Sequence, residues 1–372
     1  MIYFDNAATT YPKPQCVYDA VNEGMQKYSF NSGRGSYSAA AETFSMIQNT
    51  REKLAKMANT ISQNIVFTSS ATESLNIIIY GLGIKQGDIV YVSPFEHNSI
   101  IRTLHNCGAI IKLIPFSKKD WTLIENDYND MLVVDKPKAV IISHISNVTG
   151  YELPYENIFA KAKKYNIVTV LDSAQGFGTY NVNTKNVDYL VFAGHKSLYS
   201  VFGVAGIIVF NNDKLKIYKA GGTGSDSLNP NMPDELPNRL EAGSLNAVAI
   251  YALNKSIDFI LNSGFANKKH ELTSYLISKL KEFDDVIVYC PSTLTTNGIV
   301  SFNIKGFTAD DVGKILASKY DICVRTGYHC APYVHDFIDD KKFAGCVRVS
   351  FSGFNTKEEI DVLIQAIKEM IL

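Results

Sequence analysis

An acid, a lysine and a group of anion-binding residues stand at the ends of apolar runs in this chain. Asp172 closes the run IVTVLD, and Lys196 follows YLVFAGH, with His195 beside it. Ala71 and Thr72 come directly after IVFTSS and open the amphipathic stretch TESLNIIIYGL. The first N–H groups of a helix lack partners inside it and sit at the positive end of its dipole, so this start suits a phosphate. Each residue alone has a plainer reading. A strand-end aspartate is commonly a turn former or cap, a strand-end lysine is ordinarily solvated, and Thr72 reads as a capping residue with Glu73 in the first turn. The conjunction is more specific. A Schiff-base lysine, an acid opposite a pyridine nitrogen and donors for a phosphate are the set that pyridoxal phosphate (PLP) needs.

For these groups to meet, the elements that carry them must end on one edge. From about residue 60 to 210, short β-branched runs alternate with helical patterns. IVFTSS, IVYVSP, AVIISHIS, IVTVLD, YLVFAGH and GVAGIIVF read as strands, and the stretches after the first three as amphipathic helices. This predicts an α/β fold, a mostly parallel sheet flanked by helices, with ligands gathered at its carboxyl edge. The stretch 213–245 is rich in Gly, Pro, Ser and Asn and reads as a long functional loop. Two helices follow it. VIVYC, GIVSFNI, ADDVGKILASKY, CVRVSF and KEEIDVLIQAIKEMIL then read as a smaller α+β domain. The expected division is a segment 1–14 packing with the small domain, a large cofactor domain 15–250, and a small C-terminal domain 251–372 that carries Cys330.

At 372 residues the chain is long enough for one large and one smaller domain. A hydrophobic content of 46%, a charged content of 20% and a net charge of -1 describe an ordinary globular protein, with no electrostatic case for nucleic acid or an anionic membrane. MIYFDNAATT has no basic stretch before an apolar run, and no apolar run approaches a membrane span, so a cytoplasmic protein is expected. Cys16, Cys107, Cys290, Cys323, Cys330 and Cys346 form no C-x-x-C pair, which argues against a zinc site or a redox dithiol. Free thiols are expected, five of them inert fillers.

In VLDSAQ and FAGHK the chain resembles the class V aminotransferases, PLP enzymes of fold type I. FDNAATT, SSATESLN, FEHNS, HISNVTG, RLEAGSLN and above all RTGYHCAP narrow the resemblance to cysteine desulfurases, and RTG-x-HCA to their group II branch. It spans nearly the whole chain in order. The resemblance implies that Lys196 holds the cofactor and moves the substrate Cα proton, that Asp172 keeps the pyridine nitrogen protonated, and that His97 stacks on the ring. It places Gln175 and Asn147 at the phenolic oxygen, Asn147 also near the substrate carboxylate, and Ala71, Thr72 and His195 at the phosphate. Ser244 would reach the phosphate of a neighbouring subunit, which requires a homodimer. Arg348 would clamp the substrate carboxylate, with Arg34 and Arg325 lining the site.

Cys330 decides the reaction that the resemblance implies. Its thiolate would take sulfur from L-cysteine, leaving an enzyme persulfide and alanine, with a protein sulfur acceptor to follow. A reactive thiolate needs a depressed pKa, and His329 or Arg325 is expected to supply the positive charge. Three positions depart from the family pattern: Ala193 where serine is common, Tyr328 where histidine is usual, and Gly33 where histidine commonly precedes the arginine. The competing readings are selenocysteine lysis, desulfination or another PLP reaction on the same scaffold and, from a different class, a non-catalytic PLP-binding scaffold protein. Dependence on Cys330 separates them.

Overall fold

The computed structural model describes residues 1–32, 35–211, 215–224, 227–290 and 297–372. The chain begins with a two-residue strand, β1 (Ile2–Tyr3), and two helices, α1 (Gln15–Lys27) and α2 (Ser38–Met57). The main sheet then forms from β2 (Ile65–Thr68), β3 (Ile89–Val92), β4 (Ile110–Leu113), β5 (Ala139–Ser143), β6 (Val168–Asp172), β7 (Tyr189–Ala193) and β8 (Ala205–Val209). Between them lie α3 (Ala71–Gly81), α4 (Asn98–Asn106), α5 (Glu125–Asp135) and α6 (Tyr155–Lys163).

The order across the sheet is β2-β8-β7-β6-β5-β3-β4. β5, β7 and β8 are buried along their whole length, which is why they read as unbroken apolar runs rather than alternating ones. β8 alone runs antiparallel to both neighbours. The link from Ala193 to Ala205 contains no helix and is too short for a parallel crossover, so the chain doubles back. Ser143 pairs with Asp172, and Asp172 with Val191. The ends of β5 and β6 and the turn after β7 therefore share one edge, and Asp172 and Lys196 come with them.

After β8 the described residues up to Asn246 contain neither helix nor strand, as the composition predicted. α7 (Ala247–Leu261) and α8 (Phe265–Leu280) lead to β9 (Val286–Val288), β10 (Ile299–Ile304), α9 (Ala309–Tyr320), β11 (Ile322–Cys323) and β12 (Arg325–Gly327). α10 (Val334–Ile338), β13 (Cys346–Ser350) and α11 (Lys357–Ile371) complete the chain. Capping boxes at Thr308/Asp311 and Thr356/Glu359 start α9 and α11. The second sheet is antiparallel, in the order β12-β13-β10-β9. The N-terminal strand belongs with this later part: β1 pairs in parallel with β11, and Phe4 lies in one core with Leu316, Val349 and Ile360.

Candidate active site at the carboxyl edge

The carboxyl edge of the main sheet opens into a cleft lined by Ala71, Thr72, His97, Asn147, Asp172, Gln175, His195 and Lys196, with Ser143 among them. Eight of the thirteen residues singled out in the sequence thus meet in one place. Their supports explain their positions. Ser70, not Thr72, caps α3: its hydroxyl accepts from the Glu73 amide at 3.1 Å. Thr72 sits inside the first turn instead, and the Ala71 and Thr72 amides find no acceptor among the described residues. His97 caps α4, accepting from the Ser99 amide at 3.1 Å through Nδ1, while its ring lines the cleft. Burial holds its pKa down to about 3, so the ring is neutral.

Asp172 takes the Ala174 amide at 3.0 Å, and burial raises its pKa. Lys196 is partly buried, its side chain makes no hydrogen bond or ion pair among the described residues, and its pKa is lowered by desolvation while Asp172 acts in the opposite sense. Gln175 donates to Ala7 O at 2.9 Å. The His195 ring stacks on Phe202 with centroids 4.4 Å apart, its buried Nδ1 has no partner, and burial brings its pKa to about 3. Its carbonyl takes Thr10 N at 3.2 Å and Lys13 Nζ at 3.0 Å. Lys13 itself is driven to about 7 by burial.

The second sheet supplies the other side. Arg348, 1% exposed, donates through Nη1 to Asn147 O at 2.9 Å and through Nη2 to Asp5 at 2.6 Å, leaving Nε without a partner. Cys330 is exposed in the loop after β12. Its carbonyl accepts from Asn98 N at 2.7 Å, and Arg325 Nη2 lies 3.9 Å from its sulfur. The charge expected from His329 is not there. His329 is 4% exposed and gives its Nε2 proton to Cys346 O at 3.0 Å, and burial holds the ring well below the usual histidine pKa. Arg325 is the cation beside the thiol.

Ser244, expected at the phosphate of a neighbouring subunit, lines a separate cavity with Glu73, Lys219 and Gly203. Arg34 lies outside the described residues. Conversely, sequence reasoning missed Asp5, inside the run FDNAATT, Lys13, three residues beyond it, and Glu96. Glu96 is completely buried, accepts from Ser143 N at 3.0 Å and Ser143 Oγ at 2.7 Å, and is pushed up to about 7 by burial. Its place beside His97 in FEHNS was the only available signal.

A mostly parallel sheet with helices on its faces, an amine and an acid at its carboxyl edge, and a small antiparallel domain over them define a class. The chain belongs to the class-V aminotransferase family, whose model matches residues 2–363. Among the relatives, a Methanothermobacter thermautotrophicus protein named probable cysteine desulfurase is 31% identical over 99% of this chain and 94% of its own length. One of the same name from Borreliella burgdorferi is 31% identical over 100% of this chain and 92% of its own. The apo structure of a cysteine desulfurase from Thermococcus onnurineus NA1 superposes with a TM-score of 0.90, at 30% identity, covering 99% of this chain and 94% of that one.

Proposed function

We propose that the chain is a PLP-dependent cysteine desulfurase that converts L-cysteine to L-alanine and receives the sulfur on Cys330. The observation that carries this reading is Lys196, its side chain unpaired, and Asp172 in one cleft, with an exposed Cys330 and Arg325 close enough to act on the Lys196 amine. The residues fit the cofactor. An unpaired, partly desolvated lysine amine and an orphaned His195 Nδ1 are costly without a ligand, and the free Ala71 and Thr72 amides lie where a phosphate would be held. Ala71, Thr72 and His195 would hold the phosphate, Asp172 the ring nitrogen, Gln175 and Asn147 the phenolic oxygen, and His97 would cover the ring. When bound, the cofactor withdraws electrons from the substrate Cα and loosens the Cβ–S bond.

The chain's own groups do the rest. Arg348 takes the substrate carboxylate, a task for which a guanidinium fork is suited. Lys196, whose amine burial has made less basic, accepts the Cα proton and returns a proton to the product. The Cys330 thiolate, beside the Arg325 cation, attacks the substrate sulfur; the S–S bond forms as the Cβ–S bond breaks. Neutral His97 excludes water without competing for protons. The same reading assigns residues 15–250 to the cofactor domain and 251–372, joined by 1–14, to the domain that brings Arg348 and Cys330. It also makes the protein a cytoplasmic homodimer in which Ser244 serves the neighbouring subunit's phosphate and a protein takes up the sulfur; Arg34 would line the site. Among the described residues no helix is long and apolar enough to cross a membrane.

Borohydride reduction of the holoenzyme followed by peptide mapping tests the cofactor assignment. The reduced cofactor should be found on Lys196. Recovery on any other lysine, Lys13 included, would overturn it.

A further inference from the structure

Cys330 and the residue before it are held in an uncommon shape. His329 and Cys330 have φ of +44° and +59°, a left-handed pair that residues with a Cβ keep only when their surroundings impose it. The surroundings here hold three successive carbonyls. Asn147 Nδ2, from the cleft, donates to His329 O at 2.8 Å, and Asn98 N, at the start of α4, to Cys330 O at 2.7 Å. The third carbonyl, Tyr328 O, is taken at 2.9 Å by His335 Nε2 from α10.

His335 has no part in the cleft. It is 1% exposed, and its Nδ1 meets both oxygens of Asp340, itself wholly buried, at 2.8 and 2.9 Å. A carbonyl only accepts, so Nε2 carries the proton of that contact, and a second proton shared between Nδ1 and the Asp340 carboxyl group holds the ring in that orientation. The Ala331 amide returns to Tyr328 O at 3.0 Å, so that oxygen closes the turn around the cysteine from both sides. Behind it the backbone is packed without slack. Gly345 has a φ of +97°, and a Cβ there would lie 2.4 Å from the Gly327 backbone.

With Cys346, His335 and Asp340 also form the only three-residue group among the described residues that could hold a metal ion. The distances favour a hydrogen bond. Nitrogen and oxygen sharing a tetrahedral ion through bonds of about 2.0–2.1 Å stand roughly 3.3 Å apart, whereas 2.8 Å is hydrogen-bond contact. His335 Nε2 is also already committed to Tyr328.

We propose that His335, oriented by Asp340, is a positioning residue that fixes the backbone of the Cys330 loop and so the direction from which the thiolate meets the substrate sulfur. The proposal rests on Cys330 being the sulfur acceptor. The two ideas fail separately, because the loop can be read without turnover.

The test compares His335→Ala, His335→Gln and wild-type holoenzyme. In His335→Ala, kcat on L-cysteine should fall roughly ten- to a hundredfold, the scale of a misplaced reacting group, with KM changed by less than about threefold. L-Selenocysteine, whose elimination does not need the thiol, should be turned over within about threefold of wild type. Hydrogen exchange in the peptide containing Tyr328–Ala331 should accelerate while β13 stays protected. His335→Gln, which keeps an N–H for Tyr328 O, should recover most of the rate and the protection, and it serves if the alanine variant does not fold. Equal losses on both substrates, unchanged exchange in the loop, or glutamine no better than alanine would overturn the proposal. Wild-type turnover of cysteine by Cys330→Ala would instead overturn the desulfurase reading and leave the exchange result standing.

Discussion

Replacing Arg348 with lysine separates the shape of the carboxylate clamp from its charge. Arg348 reaches Asn147 O and Asp5 with one terminal nitrogen each, and its Nε has no partner. A substrate carboxylate can therefore take Nε and a terminal N–H side by side, an arrangement that lysine cannot present. The variant loses one charge-assisted hydrogen bond, about 1.5–3 kcal/mol. At about 1.4 kcal/mol per factor of ten, the KM for L-cysteine should rise roughly 10- to 150-fold. The guanidinium is only 1% exposed, so solvent screening does not reduce that figure. Lysine also keeps at most one of the two strut contacts, and the variant should melt earlier as well. Initial rates of alanine formation give KM and kcat, with sulfide release from cysteamine, which has no carboxylate, as the control. The ratio of cysteine to cysteamine kcat/KM should collapse. If both substrates lose the same factor, or if kcat falls with KM unchanged, Arg348 is a strut between Asp5 and Asn147 and not a clamp.

Two further outcomes follow from buried charges. Arg51 and Glu241 form a doubly bonded ion pair at 2.7 Å, with side chains 3% and 6% exposed, at the root of the segment that carries Ser244. Glu241→Ala should cost about 3–5 kcal/mol in urea unfolding by stranding the guanidinium, and adding Arg51→Met should return much of it; a single-variant loss below about 1 kcal/mol would contradict this. His97 and His195 have folded pKa values near 3 against an ordinary 6.5, so the unfolded chain binds protons first as the pH falls. Their contribution is full above 6.5 and drains between 6.5 and about 3. Glu96, raised to about 7 from 4.5, acts the other way, being full below 4.5 and lost by 7. In cofactor-free protein followed by circular dichroism, His97→Gln should flatten the loss of stability on acidification; an unchanged profile would refute the buried-neutral assignment.

What could be read from the sequence was what burial writes into it. β7 is buried along its whole length and β6 from Thr169 onward, so YLVFA is an unbroken apolar run and VTVLD is interrupted before its final acid only by a β-branched threonine, and Asp172 and Lys196 were located correctly at the ends of these strands. β4 is an edge strand, partly exposed, and IIKL gave no comparable run. The reversal of β8 was invisible because periodicity carries no direction. Either Ser70 or Thr72 can cap a helix, and choosing between them needs a boundary accurate to one residue. Asp5 and Arg348 meet across 343 positions, and no spacing or periodicity ties His335, on a five-residue helix, to the loop before it. Of the two cations expected beside Cys330, Arg325 is there and His329 is not, for a physical reason: a histidine next to a reactive cysteine reads as a cation until burial is known, and burial here keeps it neutral.

The central claim is that Cys330 takes the sulfur. Intact mass spectrometry of the holoenzyme before and after a single turnover with L-cysteine tests it most directly. The wild type should gain one sulfur atom, located on Cys330 by peptide mapping and removed by a reductant. Cys330→Ala should retain the cofactor, bind cysteine and shift its absorbance, yet gain no sulfur and form almost no alanine. Alanine release by that variant at the wild-type rate, or the extra sulfur on Cys16, Cys107, Cys290, Cys323 or Cys346, would contradict the account.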